Sequence, residues 1–106
     1  MAYVKIADVS REESALANRI VAEILLAGFV ISVFDGEAYP VKRSAKHLEI
    51  VSALGSAEAD TLAIHDPLTG RREGSVLLVW GNSADELVCD YSTTLEGLFS
   101  FAGKEG

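Results

Sequence analysis

The amino-acid sequence predicts an α+β protein, with a mostly antiparallel five-stranded sheet and about three helices in the order α-β-β-α-β-β-β-α. β-branched and aromatic runs come in neighbouring groups joined by short turns, which favours antiparallel pairing. The helical segments lie between these groups instead of alternating with single strands, as they would in a doubly wound fold. With 106 residues, 49% of them hydrophobic, residues 1–106 are expected to form a single domain with its own core.

The first predicted helix spans residues 11–27. Ser10 and Glu13 fit a capping box, in which each side chain accepts a hydrogen bond from the other residue's amide. Apolar residues then recur at intervals of four and form one broad face. Gly28 suits the left-handed position that ends a helix. Residues 1–9 are expected to be either an edge strand or a loose arm, and residues 103–106 a frayed tail.

A hairpin is predicted to follow, with strands over residues 29–34 and 37–42. Asp35-Gly36 between them is a dipeptide preferred in tight type I′ turns, where both residues adopt positive φ. Pro40 cannot donate a ladder hydrogen bond, which predicts that the returning strand lies at a sheet edge.

A second helix is predicted over residues 45–54, capped by Ser44 and ended by Gly55. Its apolar face would contain Leu48, Val51 and Leu54. The strand at residues 61–65 alternates, with its two larger apolar residues on one face.

The C-terminal half is predicted to contain two strands and a last helix. Asp66 begins a turn that runs to residue 70, since its carboxylate can accept from the following amides. Residues 76–80 are apolar throughout, as in a strand covered on both faces. Residues 86–91 alternate again and place Cys89 on a buried face, as an inert thiol. A second capping box at residues 93–96 opens the last helix, which would include residues 95, 98 and 99.

Composition excludes several classes of function. The net charge of −7 argues against nucleic-acid binding by phosphate neutralisation, which needs clustered cations. The apolar stretch at residues 20–34 is shorter than the ~20 residues that span a bilayer, so no membrane association is expected. A single cysteine and the lack of a signal-peptide pattern suit the cytoplasm. Phosphate loops and metal-binding motifs are absent from the sequence, so no cofactor or metal is expected.

The two histidines are interpreted as structural. Asp66 follows His65 and could orient its imidazole for acid–base chemistry, but adjacent strand residues point to opposite faces. His47 is expected at the surface or the boundary of the second helix, away from its apolar row.

The leading functional hypothesis is a non-enzymatic protein-binding or regulatory module. If the helices cover only one side of the sheet, Leu77 and Val79 would form part of an exposed apolar face that binds a second copy or another protein. Asp85, Glu86 and Asp90, with residues 58 and 60, could form an acidic binding surface if their loops meet at one end of the sheet, although the favoured interpretation is a solvated rim, since charge runs are usually solvated faces.

The alternative is a small-molecule-binding domain or small enzyme. Its site would lie where residues 56–60 and 81–85 meet, with His65, Asp90 and Tyr91 as polar groups. The basic residues at 42, 43, 46, 71 and 72 could bind an anion, although the interpretation favoured by the excess of carboxylates is ion pairing.

Overall fold

The computed structural model describes residues 3–6, 8–96 and 99. Its regular elements are, in order, α1 (Arg11–Leu26), β1 (Val30–Phe34), β2 (Val41–Ser44), α2 (His47–Ser52), β3 (Ala59–His65), β4 (Arg72–Val79) and β5 (Val88–Tyr91). The strands form one five-stranded sheet in the order β2-β1-β3-β4-β5, and all neighbours are antiparallel. The predicted α+β class and five-stranded antiparallel sheet are confirmed. None of the helices in the described ranges is long and apolar enough to cross a membrane.

The capping box at the start of α1 forms as predicted. The Glu13 amide donates to Ser10 Oγ at 3.1 Å, and the Ser10 amide donates to Glu13 Oε1 at 3.2 Å. The second carboxylate oxygen of Glu13 accepts from the Gly81 amide at 2.9 Å. This buried side chain therefore caps the helix and also fixes the loop that follows β4.

The hydrophobic core lies on one side of the sheet. The apolar face of α1 and the buried side of α2 join alternate residues of the central strands in one cluster. The fully buried strand residues in this cluster are Ile31, Val33, Leu62, Ile64, Val76 and Leu78. Leu77 and Val79, which alternate with them on β4, are only partly buried. The prediction that this strand is covered on both faces is wrong, because α1 and α2 pack against the same face.

The third predicted helix does not form in the described residues. Thr93–Leu95 makes a single 3₁₀ turn, and Ser92 at its N-cap makes no side-chain capping bond. Glu96 is extended, with φ −63° and ψ 134°, which ends the turn there. Phe99 is nevertheless buried, with its ring centroid 6.1 Å from that of Phe29. Residues 98 and 103–106 of the predicted helix and tail lie outside the described residues.

The predicted hairpin has a longer connection than a type I′ turn. Of Asp35 and Gly36, only Gly36 has positive φ, at 104°. The Asp35 carboxylate instead accepts from the amides of Glu37 and Ala38, both at 2.9 Å, and the returning strand starts at Val41. The edge position predicted for that strand is confirmed.

The second helix is shorter than predicted. Ser44 ends β2, and its hydroxyl donates to Glu49 Oε1 at 2.6 Å. Lys46 takes the N-cap position without a side-chain bond. Ile50 and Val51 face the core, whereas Leu48 is 64% exposed.

Cys89 is exposed, which contradicts the predicted buried thiol. Leu77 pairs with Asp90 and Leu78 pairs with Val88, so Cys89 is an extra residue in a β-bulge. The bulge interrupts the alternation from which burial was predicted.

The N-terminal segment, residues 3–6, is neither a strand of the sheet nor a loose arm. Asn18 of α1 accepts from the Val4 amide at 2.8 Å and donates to the Val4 carbonyl at 2.7 Å. The Ile6 amide donates to Ser14 Oγ at 3.0 Å, and the Ile6 side chain is buried. Two polar side chains of α1 thus fix this segment.

The double role of Glu13 can be tested by measuring the free energy of unfolding in urea. Ser10→Ala removes one half of the capping box and should cost about 1 kcal/mol. Glu13→Ala should cost about 2 kcal/mol, because it also leaves the Gly81 amide without its acceptor. Glu12→Ala is the matched control, since it removes a neighbouring exposed carboxylate. Only the favourable interaction of that carboxylate with the helix dipole is lost. Equal costs for Glu12→Ala and Glu13→Ala would contradict the role assigned to Glu13.

Candidate functional site

The side of the sheet opposite α1 and α2, here called the open face, carries the candidate site. Directly paired residues on neighbouring strands share a face, so the register identifies its members. In the central strands they are Val30, Ser32, Phe34, Ala59, Thr61, Ala63, His65, Ser75, Leu77 and Val79. Asp90 joins them from β5 through its pairing with Leu77.

Leu77 and Val79 lie in the apolar part of this face. Leu77 pairs with Thr61, which pairs with Phe34. The ring of Phe34 packs against that of Tyr39, with centroids 4.9 Å apart. A band of partly exposed side chains, with Thr61 between the apolar Phe34 and Leu77, therefore crosses the three central strands.

The acidic residues predicted for binding lie at the β5 edge. Asp85 and Glu86 are exposed in a 3₁₀ turn just before β5, and Asp90 is exposed on the strand. Asp90 and Leu77 line a shallow cavity of about 220 Å³, together with Tyr91. Asp85 lines a different cavity of about 390 Å³, which it shares with Glu12 of α1.

Asp60 does not belong to this acidic edge. It is 1% exposed and faces the core, where its Oδ2 accepts from Trp80 Nε1 at 2.8 Å and from the Gly55 amide at 3.0 Å. Its Oδ1 has no hydrogen-bond partner among the described residues. Burial raises the pKa of Asp60 above its usual value, and the bonds from Gly55 and Trp80 only partly offset this effect.

A basic cavity occupies the part of the open face nearest β2. It has a volume of about 190 Å³ and is lined by Ser32, Tyr39, Lys42, Arg43, Ala63, His65 and Arg72. Within the described part of the chain, no carboxylate forms an ion pair with its three cationic side chains. The ion pairing favoured for residues 42, 43, 46, 71 and 72 is therefore not seen for these three cations among the described residues.

His65 is held on this cavity by two contacts. Its Nδ1 lies 3.2 Å from the Gly70 carbonyl oxygen, and its Nε2 lies 3.3 Å from Ser32 Oγ. A carbonyl can only accept, so Nδ1 carries a proton, and in the neutral imidazole Nε2 then accepts from the Ser32 hydroxyl. Ser32 Oγ also accepts from the Arg43 amide at 2.9 Å.

This arrangement places a serine hydroxyl beside a potential base, as in nucleophilic catalysis. Ser32 is however only 4% exposed, and its oxygen already accepts the Arg43 amide. The chain Gly70–His65–Ser32–Arg43 therefore positions the edge strand against the centre of the sheet.

Arg43 has an unusual backbone conformation, with φ 49° in the left-handed region. It lies in a bulge, because three steps along β2 from Val41 to Ser44 match two steps along β1. Its guanidinium rests on Gly70, where an added Cβ would come within 2.8 Å of the Arg43 terminal nitrogen. The turn predicted to begin at Asp66 is confirmed, since the Asp66 carboxylate accepts from the amides of Leu68 and Thr69 at 2.8 and 3.0 Å.

The structure does not bring His65 together with Asp90 and Tyr91, the three groups of the alternative site. His65 pairs with Arg72, whereas Asp90 pairs with Leu77. Arg72 and Leu77 are five positions apart on β4, or roughly 16 Å at 3.3 Å per residue. The two cavities share no lining residue.

His47 lies on the opposite side of the molecule from the open face. Asn18 Nδ2 donates to the carbonyls of Val4 and Ser14, so its Oδ1 must accept from His47 Nε2, 2.9 Å away. The other nitrogen, Nδ1, is buried and has no hydrogen-bond partner in the part of the chain that the structure describes. Burial lowers the pKa of His47. Across the residues that the structure describes, no group of three or more His, Cys, Asp or Glu is arranged to hold a metal ion.

The buried carboxyl group of Asp60 predicts a pH-dependent effect of Asp60→Asn. Because the folded-state pKa is raised, the protonated form favours folding, and its contribution to stability is lost as pH rises through the folded pKa. The free energy of unfolding of Asp60→Asn, relative to the unsubstituted protein, should therefore increase between about pH 4 and pH 7. Urea denaturation across this range measures the difference. A difference that decreases with pH would contradict the raised pKa.

Trp80→Phe provides a related variant. It removes the indole N–H that donates to Asp60 and leaves the ionised carboxylate with fewer donors. Its destabilisation should be greater at neutral pH than at about pH 4.

The chain matches no protein-family model, no curated protein and no solved structure. The basic cavity, the apolar band and the acidic edge described above are the observations from which a function is proposed.

Proposed function

We propose that this chain is a non-enzymatic protein-binding module that associates with a second copy of itself through the open face. The observation that carries this proposal is that α1 and α2 pack on the same side of the sheet. Leu77 and Val79 consequently remain partly exposed. The single Cys89 leaves no intrachain disulfide to form, so a reducing compartment such as the cytoplasm is the proposed setting.

The composition of the open face supports an interface. A sheet with one face in water normally carries polar residues on that face. Here Phe34, Leu77 and Val79 lie on it, and Tyr39 extends the apolar surface beyond β1. Apolar area that is continuous across several strands is typical of interaction surfaces.

The two edges of the sheet carry opposite charges. Lys42 and Arg43 lie on β2 at one edge, and Asp90 lies on β5 at the other, preceded by Asp85 and Glu86. Four strand spacings separate the edges, or roughly 19 Å. A two-fold axis parallel to the strands would bring the basic edge of each copy onto the acidic edge of the other. This complementarity favours a second copy as the partner.

The edges themselves are poorly suited to extending the sheet. Both β2 and β5 contain a bulge, at Arg43 and at Cys89 respectively. Bulges and charged side chains disfavour edge-to-edge pairing. The open face is therefore the surface proposed to make the contact.

The dimensions of the face set the expected affinity. Five strands and about six residues per strand span roughly 19 by 20 Å, a projected area of about 400 Å². This is about half of what each partner buries in a standard stable interface. We therefore expect a weak dimer, with a dissociation constant in the micromolar range or above.

Sedimentation velocity over micromolar to millimolar concentrations would test the proposal. The double variant Leu77→Thr/Val79→Thr should remain monomeric where the unsubstituted protein dimerises, because threonine retains strand propensity and removes apolar area. The matched control is Leu26→Thr/Leu48→Thr, which alters leucines that are 79% and 64% exposed on α1 and α2. A protein that stays monomeric throughout, or a control that disrupts dimerisation equally, would refute the open-face dimer.

Charge exchange tests the orientation of the two copies. Lys42→Glu and Asp90→Lys should each weaken the dimer, and the double variant should restore part of the lost affinity. Raised salt should weaken the unsubstituted dimer, since the edge charges are exposed. No restoration in the double variant would exclude the proposed two-fold arrangement.

A further inference from the structure

We infer that the basic cavity is a binding site for a compact oxyanion of the phosphate type, either free phosphate or the terminal group of a small phosphate ester. This site would belong to one chain and would not depend on self-association. It extends the function of the open face from protein contact to the binding of a small ligand.

The charge of the cavity is the first argument. Three of the nine basic residues of the chain, Lys42, Arg43 and Arg72, line a volume of about 190 Å³. The net charge of the whole chain is −7, yet none of the described residues that line this cavity is acidic. Like charges gathered in one place repel each other, and an anion among them would relieve that repulsion.

The fixed position of Arg43 is the second argument. Its left-handed backbone, at φ 49°, is uncommon for a residue other than glycine, asparagine or aspartate. The Arg43 amide bonded to Ser32 and the guanidinium resting on Gly70 hold it there. Backbone strain of this kind clusters at ligand sites, where it preorganises a side chain.

The donors around the cavity suit a phosphate group. Two guanidinium groups can each offer paired N–H donors to two oxygens of one anion. Lys42 adds an ammonium group and Tyr39 a phenolic hydroxyl. Three positive charges match a dianion better than a single carboxylate.

The volume limits the size of the ligand. About 190 Å³ lies below the roughly 300 Å³ at which pockets for drug-sized molecules begin. At about 30 Å³ per water molecule, the cavity holds the equivalent of about six waters. One phosphate group fits this space, and the remainder of a larger ester would lie outside it.

The inference is tested by titrating the full chain with inorganic phosphate at constant ionic strength and following backbone amides by NMR. Saturable shifts are expected at Ser32, Arg43 and His65, with no such saturation when chloride replaces phosphate. Shifts that are linear in phosphate, or equal in chloride, would overturn the site.

Two variants remove one cation each. Arg43→Asn keeps a residue that tolerates positive φ and removes the guanidinium. Arg72→Gln removes the second guanidinium at the start of β4. Each should weaken phosphate binding about tenfold, the usual effect of losing a charge-assisted hydrogen bond. Arg19→Gln on the exposed side of α1 is the matched control and should leave the affinity within about twofold. Unchanged affinity in both cavity variants would overturn the proposal.

Further titrations identify the source of the oxyanion. Tighter binding of glycerol 3-phosphate than of inorganic phosphate supports the terminal group of an ester, and the reverse order supports free phosphate. Tighter binding of acetate than of either would overturn the phosphate class. The titration is repeated with Leu77→Thr/Val79→Thr, in which a phosphate affinity at least as high as that of the unsubstituted protein is expected. Binding that is lost in this variant would overturn a site built by one chain, whatever the oligomeric state proves to be.

Discussion

The packing of both helices against one face of the sheet is the constraint on which the rest of the structure depends. Ile20 and Ile24 of α1 and Ile50 of α2 share a buried cluster with the inward residues of the central strands. Each fully buried aliphatic side chain contributes about 1.5–3 kcal/mol relative to exposure, so this face accounts for most of the favourable burial. The opposite face receives no helix from the described residues, and Leu77 and Val79 on it remain partly exposed.

Polar contacts on the helical side fix that packing. Asn18 connects α1 with residue 4 and with His47 of α2, and its four hydrogen bonds satisfy the whole amide. Glu13 connects the start of α1 to the loop after β4. These side chains give the helical layer a defined position on the sheet, because a buried polar group that loses its hydrogen-bond partner destabilises the folded state.

The candidate functional groups, by contrast, lie on the side where the backbone departs from regular geometry. Arg43 and Cys89 mark bulges in the two edge strands, and each bulge redirects the residues beside it. The outcome is a face with a basic cavity near one edge and Asp90 near the other. An anion in the cavity would neutralise charges that the proposed dimer uses, so anion binding and dimerisation would compete for Lys42.

The sequence by itself determined the features that depend on local hydrogen bonds and on periodicity. The Ser10–Glu13 capping box, the Asp66 turn, the burial of Leu62 and Ile64 and the α+β class were all predictable, because the groups involved are neighbours in the chain or repeat at a fixed interval. The apolar run of β4 also made Leu77 and Val79 candidates for an exposed binding face, but only on the condition that one side of the sheet was uncovered.

The tertiary structure decided whether one side of the sheet is uncovered and which residues line the basic cavity. Which face α1 and α2 cover depends on contacts between distant segments, and so does the burial of Asp60 beneath Trp80. A bulge shifts the alternation of buried and exposed side chains by one residue and leaves no local signal in the sequence. For this reason the sequence pattern predicts the wrong face for Cys89. The hydrogen bond between His65 and Ser32 joins residues that are 33 positions apart. Arg72 and Arg43 line the same cavity only because of the order of the strands in the sheet. Sequence periodicity specifies which residues share one side of a strand, whereas the packing of the whole chain determines what that side faces.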